Sequence, residues 1–123
     1  MINPKITIAL PVYNGELLIT KCLKSLVNQT YKNYEIHIAD DVSNDNTFLI
    51  CKKFALDYTN IKLSKNKKNL GGLLNLIQIL NKSNSKYFLW ASQDDYWDES
   101  FIEKLIFKLN NDKNAICCMS AYR

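Results

Sequence analysis

The 123-residue sequence lacks a long apolar run. Its uninterrupted apolar stretches are only a few residues long, whereas a membrane-spanning helix needs about 20 such residues. The opening Met-Ile-Asn-Pro-Lys is not followed by the apolar segment of a signal peptide. We therefore expect neither a spanning helix nor a secretory leader, and we expect a cytoplasmic protein.

The sequence also lacks the clustered ligands of a zinc or calcium site. Its cysteines form no CxxC pair, and its single histidine, His37, lies inside a predicted strand. A structural zinc site needs several such ligands together, so we expect the cysteines, Cys22, Cys51, Cys117 and Cys118, to be buried reduced thiols. An EF-hand loop starting at Asp41 is excluded, because Asn46 stands at its glycine position and Lys52 at its glutamate position.

The net charge of +4 is unevenly distributed, because four lysines fall in one short segment: Lys62, Lys65, Lys67 and Lys68. Such a segment either faces water as a solvated loop or attracts an anionic ligand. The candidate ligands are a polyphosphate and an anionic membrane surface, which leaves a peripheral membrane contact open. Nucleic acid is disfavoured, because aromatic residues do not alternate with the basic ones as they do in stacking platforms.

Short β-branched or aromatic runs alternate with helical spacings of apolar residues. The runs predict strands, the first ending at Pro11, over residues 5–10, 35–40, 61–64, 87–91 and 115–121. Spacings of three and four predict helices over residues 16–28, 48–58, 73–81 and 101–109. We expect Ser43 or Asp45 to cap the second helix and Asp98 or Ser100 to cap the fourth.

This alternation predicts an α/β domain. Strands joined by helices form βαβ crossovers, so the expected fold is a Rossmann-like, mostly parallel sheet with helices on both faces. The chain stops directly after the fifth predicted strand. We therefore expect a fragment or a truncated gene product, with the domain cut off after this strand.

Polar segments follow three of the predicted strands, at residues 11–14, 40–47 and 92–95. Ligands of open parallel sheets bind beyond the carboxyl ends of the strands, so we expect the three segments to meet. Asp40 and Asp41 are candidates to accept hydrogen bonds from a nucleobase or ribose. Alternatively, these carboxylates form turns and cap the following helix.

Asp94 and Asp95 are adjacent carboxylates at the end of an aromatic strand. They repel each other unless a cation or hydrogen-bond donors stabilise them. Mg²⁺ and Mn²⁺ are commonly held by one or two carboxylates plus substrate phosphates, so a cation on a diphosphate fits this pair. The alternative is a capping Asp beside a solvated one. Trp90, inside the strand, is expected to pack in the core.

The ordered set of segments resembles the family 2 glycosyltransferases, which have the GT-A fold. TIALPVYNGE and CLKSLVNQTYKNYEIHIADD are similar to the family's first strand, first helix and second strand. DDVSNDNT is similar to its DDxSxDxT stretch, KNLGG to its Asn-x-Gly loop and SQDDYW to its acidic motif. Two positions depart from the pattern: Ser92 stands where close relatives often have Asp, and Val42 replaces the usual glycine of the turn.

The resemblance implies that residues 1–123 form the nucleotide-sugar-binding part of a metal-dependent, inverting glycosyltransferase in cell-surface polysaccharide synthesis. The implied donor-binding residues are Pro11, Tyr13, Asn14, Asp40, Asp41, Gly71 and Asp94. Asp94 and Asp95 would hold a Mn²⁺ or Mg²⁺ ion on the diphosphate. The family's acceptor-binding part and catalytic base lie beyond the equivalent of Arg123, so the base has no candidate and the acceptor is a saccharide or a lipid-linked sugar.

Two other functions stay open. A nucleotidyltransferase would use a similar sheet and acidic pair, but it usually has a Gly-rich basic loop after the first strand, where this chain has Pro-Val-Tyr-Asn. A truncated or inactive domain would bind a nucleotide-sugar without transferring the sugar. The oligomeric state has no signal in the sequence.

Overall fold

The computed structural model describes residues 5–120, in which strands and helices alternate strictly. The strands are β1 (Ile6–Val12), β2 (Tyr34–Asp40), β3 (Ile61–Lys65) and β4 (Tyr87–Trp90). The helices are α1 (Ile19–Val27), α2 (Thr47–Asp57), α3 (Gly72–Lys82) and α4 (Phe101–Asn111). Within this part of the chain, no helix is long and apolar enough to cross a membrane.

The sheet is parallel throughout, and its strand order is β3-β2-β1-β4. The chain moves outward from β1 to β3 and then crosses back to place β4 on the other side of β1. The strand order therefore reverses beside β1, and such a switch point opens a crevice at the carboxyl edge. The predicted α/β fold is confirmed.

The two faces of the sheet bury different helices, which confirms helices on both sides. Ile8, Leu10, Ile36 and Ile38 point to the face covered by α1, α2 and α4, and all four are at most 1% exposed. On the other face, the small side chains of Ala9 and Ala39 lie beneath Ile79 of α3 and leave room for that helix.

Pro11 does not end β1 as expected, because the strand continues to Val12. The backbone oxygen of Ala9 accepts from Ala91 on the β4 side, and backbone direction alternates, so Pro11 also faces β4. The β4 pairing stops at Trp90, opposite Ala9. A backbone N–H at position 11 would therefore find no acceptor on β4. Proline, which lacks this N–H, costs no strand hydrogen bond there and is tolerated.

A fifth strand over residues 115–121 is not confirmed. Residues 115–120 pair with no strand, and Ala121 lies outside the described residues. The segment instead borders an apolar groove of about 300 Å³ beside β4 and α4, and Ile116 is 96% exposed. Strand propensity indicates only that residues suit a pleated surface, and it does not supply a neighbouring strand.

All four cysteines are free. Cys22 and Cys51 are buried as predicted, and burial raises the pKa of both thiols to about 12. Cys117 is exposed and Cys118 is half-buried. The prediction of burial is wrong for Cys117, because its segment does not enter the sheet.

Candidate functional site

The three polar segments meet at the carboxyl edge of the sheet, as predicted. The backbone N–H of Asn14, after β1, donates to Ser43 Oγ after β2 at 3.0 Å. The backbone N–H of Tyr13 donates to Gln93 Oε1 after β4, also at 3.0 Å. The β1–α1 loop therefore lies between the other two segments and contacts both.

Hydrogen bonds lock the β1–α1 loop to the β2–α2 loop. Gly15 N–H donates to Thr47 Oγ1 at 2.7 Å, and Asn44 N–H donates to Asn14 Oδ1 at 2.8 Å. Asn14, a predicted donor-binding residue, has a φ of 46°, a left-handed conformation that asparagine tolerates. Its carboxamide oxygen is used in holding the two loops together.

The two residues predicted to cap α2, Ser43 and Asp45, make different hydrogen bonds at the start of the helix. Asp45 accepts hydrogen bonds from the backbone N–H of Thr47 at 2.9 Å and from the Thr47 hydroxyl. The hydroxyl of Ser43 is instead engaged by Asn14. The N-cap position itself is Asn46. Asp45 stabilises the start of the helix and also accepts from Glu16 N–H of the β1–α1 loop at 3.2 Å, so both Asp45 and Ser43 contact that loop.

Asp40 is fully buried at the end of β2. Its Oδ1 accepts from Ser43 N–H at 3.1 Å, while Oδ2 has no hydrogen-bond partner among the described residues. A buried acceptor without a partner is unfavourable. The same turn contains Val42 at a φ of 67°, a left-handed conformation that costs an L-residue about 1–2 kcal/mol. The turn is strained where the family usually has glycine.

Asp41 is only 2% exposed, and its carboxylate holds the following lysine-rich loop. Oδ1 accepts from Asn66 Nδ2 and Leu70 N–H, and Oδ2 accepts from Gly71 N–H, each at 2.8 Å. Burial by itself raises the pKa of Asp41, but these hydrogen bonds outweigh it and lower the pKa below its ordinary value. The carboxylate is therefore charged at neutral pH and already accepts three hydrogen bonds.

A partly buried amide network, missed in the sequence, supports this loop from α3. Asn66 Nδ2 donates to Asn75 Oδ1 at 2.9 Å, and Gln78 Nε2 donates to the side-chain oxygens of both. Asn75, 1% exposed, also donates to the backbone oxygen of Ala39 at 2.8 Å. The apolar spacing gave no signal of this network, because Leu73, Ile77 and Leu80 define a helix face on which Asn75 does not lie. In the structure those three side chains are exposed and Asn75 is buried.

The lysines of this region do not act as one positive patch. Lys62 pairs with Glu35 at 3.0 Å, and Lys65 lies over the Phe48 ring at 4.9 Å. Only Lys67 and Lys68 lie in the loop that Asp41 holds, and both are exposed.

Glu35, the ion-pair partner of Lys62, is the centre of an ion-pair cluster on β2. It also pairs with Lys5 at 2.7 Å and with His37 at 2.8 Å. Burial raises the pKa of Glu35, but the hydrogen bonds from Lys5, Lys62 and His37 prevail and lower it to about 2. The histidine is part of this cluster and not of the candidate site.

In the acidic pair, Asp94 is exposed and Asp95 is half-buried. The hydroxyl of Ser92, where relatives often have Asp, donates to Asp94 Oδ1 and lowers the pKa of Asp94. Among residues 5–120, no group of three or more metal-ligating side chains is formed. Asp94 and Asp95 still fit a Mg²⁺ or Mn²⁺ ion that completes its shell with phosphate oxygens and water. They do not form a closed metal cage.

The two tryptophans beside the pair have different environments. Trp90 is 60% exposed, so the prediction of core packing is wrong. It pairs with Ala9 on the α3 face, at the side of the sheet where α3 does not cover it. Trp97 packs on the core, edge-on to Phe101 at 4.8 Å.

The sequence profile of Glycosyl transferase family 2 matches residues 7–123. The chain belongs to this family. Glycosyltransferase GlyA of Streptococcus pneumoniae is 34% identical to this family 2 chain over 110 residues, which cover 89% of the chain and 16% of GlyA. Poly(ribitol-phosphate) beta-glucosyltransferase of Bacillus spizizenii is 39% identical over 98 residues, which cover 75% of the chain and 15% of that protein.

The structural comparison agrees. TarS 1-349 of S. aureus, solved in complex with UDP-GlcNAc, superposes with a TM-score of 0.81 and 27% identity over 87% of this family 2 chain and 31% of that chain. The GT-A fold implied by the sequence is confirmed. The family 2 chain spans less than a third of the length of each of these three proteins.

Proposed function

We propose that this chain is the nucleotide-sugar-binding part of a glycosyltransferase in cell-surface polysaccharide synthesis, acting on a saccharide or lipid-linked acceptor. The observation that carries the proposal is the convergence of three polar strand-end segments at the switch point of a family 2 domain. The names of GlyA and of the poly(ribitol-phosphate) enzyme support glycosyl transfer, and the UDP-GlcNAc bound to TarS supports a nucleotide-sugar donor. Family membership favours this function over nucleotidyl transfer.

The base side of the proposed donor site lies around the β1–α1 loop. Tyr13 is 45% exposed next to Pro11, so its ring is available to stack on a nucleobase. Asp41 Oδ2 accepts only Gly71 N–H among the described residues. It keeps acceptor capacity for a base or ribose group. Asn14 shapes this side through the loop that it holds.

Asp40 has a separate role in the proposed donor site. It supports the turn that carries Asp41, and its unpaired Oδ2 would be satisfied by a ligand N–H or O–H that reached it.

The diphosphate side lies at Asp94 and Asp95, which would hold the cation. A bound Mg²⁺ or Mn²⁺ would stabilise the negative charge on the leaving diphosphate. The pair's own contribution is two adjacent carboxylates, with Asp94 fixed by the Ser92 hydroxyl. Inversion at the anomeric carbon, the cytoplasmic location and a membrane contact stay predictions, and the catalytic base has no candidate in this chain.

Calorimetric titration of UDP, GDP and dTDP, with Mn²⁺ and with chelator, tests the proposal. We expect at least one diphosphate to bind more tightly with Mn²⁺ and Asp95→Asn to abolish most of that difference. Asp57→Asn is the matched control, because it removes the same charge at the end of α2, away from the carboxyl edge. Equal affinities with metal and with chelator would refute the metal site, and no binding of any diphosphate would refute the donor site.

A further inference from the structure

The side chain of Gln93 makes a two-point contact with the backbone of Tyr13. Its Oε1 accepts from Tyr13 N–H, and its Nε2 donates to Tyr13 O, both at 3.0 Å. One amide group therefore satisfies the donor and the acceptor of a residue that lies 80 positions earlier in the chain.

This contact lies just beyond the point where the pairing of β1 with β4 ends. The last paired residues of β1 and β4 are Ala9 and Trp90, followed by the bond from Ala91 N–H to Ala9 O at 2.9 Å. Beyond this point the two backbones separate. The amide of Gln93 takes the place of the missing strand partner and extends the link between the two segments to Tyr13.

Gly15 provides the space that the amide occupies. A Cβ atom at Gly15 would lie 2.5 Å from Gln93 Oε1 and 2.6 Å from its Cδ. Both distances are far inside van der Waals contact, and they involve the end of a flexible side chain. An alanine at position 15 would therefore displace the Gln93 amide without requiring a shift of the backbone.

We propose that Gln93 is a positioning residue that fixes the spacing between the two halves of the donor site. Its side chain holds Tyr13 on the base side, and its backbone leads directly into Asp94 on the diphosphate side. The hydroxyl of Ser92, on the other side of Gln93 in the chain, donates to the Asp94 carboxylate. The inference rests on the proposed function, since the two halves matter only if one diphosphate ligand spans them.

Two different substitutions remove the contact. Gln93→Met keeps the length of the side chain and loses both hydrogen bonds, whereas Gly15→Ala keeps Gln93 and displaces its amide. We expect each to expose Tyr13 N–H to hydrogen exchange. We also expect each to weaken Mn²⁺-dependent binding of UDP, GDP or dTDP roughly tenfold, the order of one or two lost hydrogen bonds. Gly72→Ala is the matched control, because no atom lies within 4 Å of its Cβ position.

The double variant makes the test specific. If Gly15→Ala acts only by displacing the amide, then adding it to Gln93→Met causes no further loss of affinity. Affinity that is unchanged in Gln93→Met, or losses that add in the double variant, would overturn the positioning role while the proposed function stands. If the unsubstituted chain binds none of the three diphosphates with Mn²⁺, the proposed function and this inference both fall.

Discussion

Replacing Asp41 by alanine tests whether its carboxylate holds the loop from Asn66 to Gly71. The substitution removes an acceptor shared by Asn66 Nδ2, Leu70 N–H and Gly71 N–H, each at 2.8 Å. Hydrogen bonds to a charged group contribute about 1.5–3 kcal/mol each. Because the donors are only partly buried, water replaces part of each bond, and we expect a net loss of about 3 kcal/mol.

Two measurements test this expected loss, one for the whole protein and one for the loop alone. Urea unfolding gives the change in the free energy of unfolding, and amide exchange of Leu70 and Gly71 shows whether the loop opens locally. Asp57→Ala removes an exposed carboxylate at the end of α2 and is the control. Native protection of both amides in Asp41→Ala, with unfolding free energy within about 0.5 kcal/mol of the unsubstituted protein, would refute the loop-anchoring role.

Nucleotide binding separates the two roles assigned to Asp41. Losing one charge-assisted hydrogen bond to a ligand weakens binding by roughly tenfold or more. Asn66→Ala removes one loop contact and leaves the carboxylate in place, so it isolates the effect of the loop. If Asn66→Ala weakens diphosphate binding as much as Asp41→Ala does, Asp41 acts through the loop and not through direct contact with the ligand.

Two further predictions concern stability. Glu35 has a folded-state pKa of about 2, below the ordinary 4.5, so its contribution is present above pH 4.5 and is lost as the pH falls through 2. We expect Glu35→Gln to flatten the acid limb of unfolding free energy against pH, and an unchanged limb would contradict the ion-pair cluster. Asn75→Leu leaves buried partners unpaired and should destabilise the fold by about 2–3 kcal/mol, measured by urea unfolding. The exposed Asn81→Leu on the same helix should change little, and equal effects of the two would contradict the network.

The order of strands and helices was predictable because its signals are local. β-branched runs and three- and four-residue spacings are contained within single elements. The two errors in the bounds and number of strands, at Pro11 and at residues 115–121, arose where a strand depends on its neighbour. Pro11 is accommodated in β1 because the pairing with β4 has already ended on that side. Residues 115–120 suit a strand by composition, but they pair with no strand of the sheet.

The meeting of the three polar segments was also predictable, because strand ends of a parallel sheet share one edge. The partners of each side chain within that edge were not. Asn14 and Asp41 were predicted to face a ligand, yet both hold loops. Gln93 lies within the SQDDYW segment, but nothing in the sequence indicates that its side chain bonds the backbone of Tyr13.

These internal contacts divide the candidate site into a fixed half and an open half. The backbone of Tyr13 and Asn14 is bonded to Gln93 on one side and to Ser43 on the other, so the base side is ordered before any ligand arrives. Preorganisation of this kind lowers the entropy lost on binding. Asp94 is exposed, and its carboxylate accepts from the hydroxyl of Ser92, so we expect this side to gain most from a cation. Substitutions on the base side should therefore weaken diphosphate binding with and without Mn²⁺, whereas those at the acidic pair should act only when the metal is present.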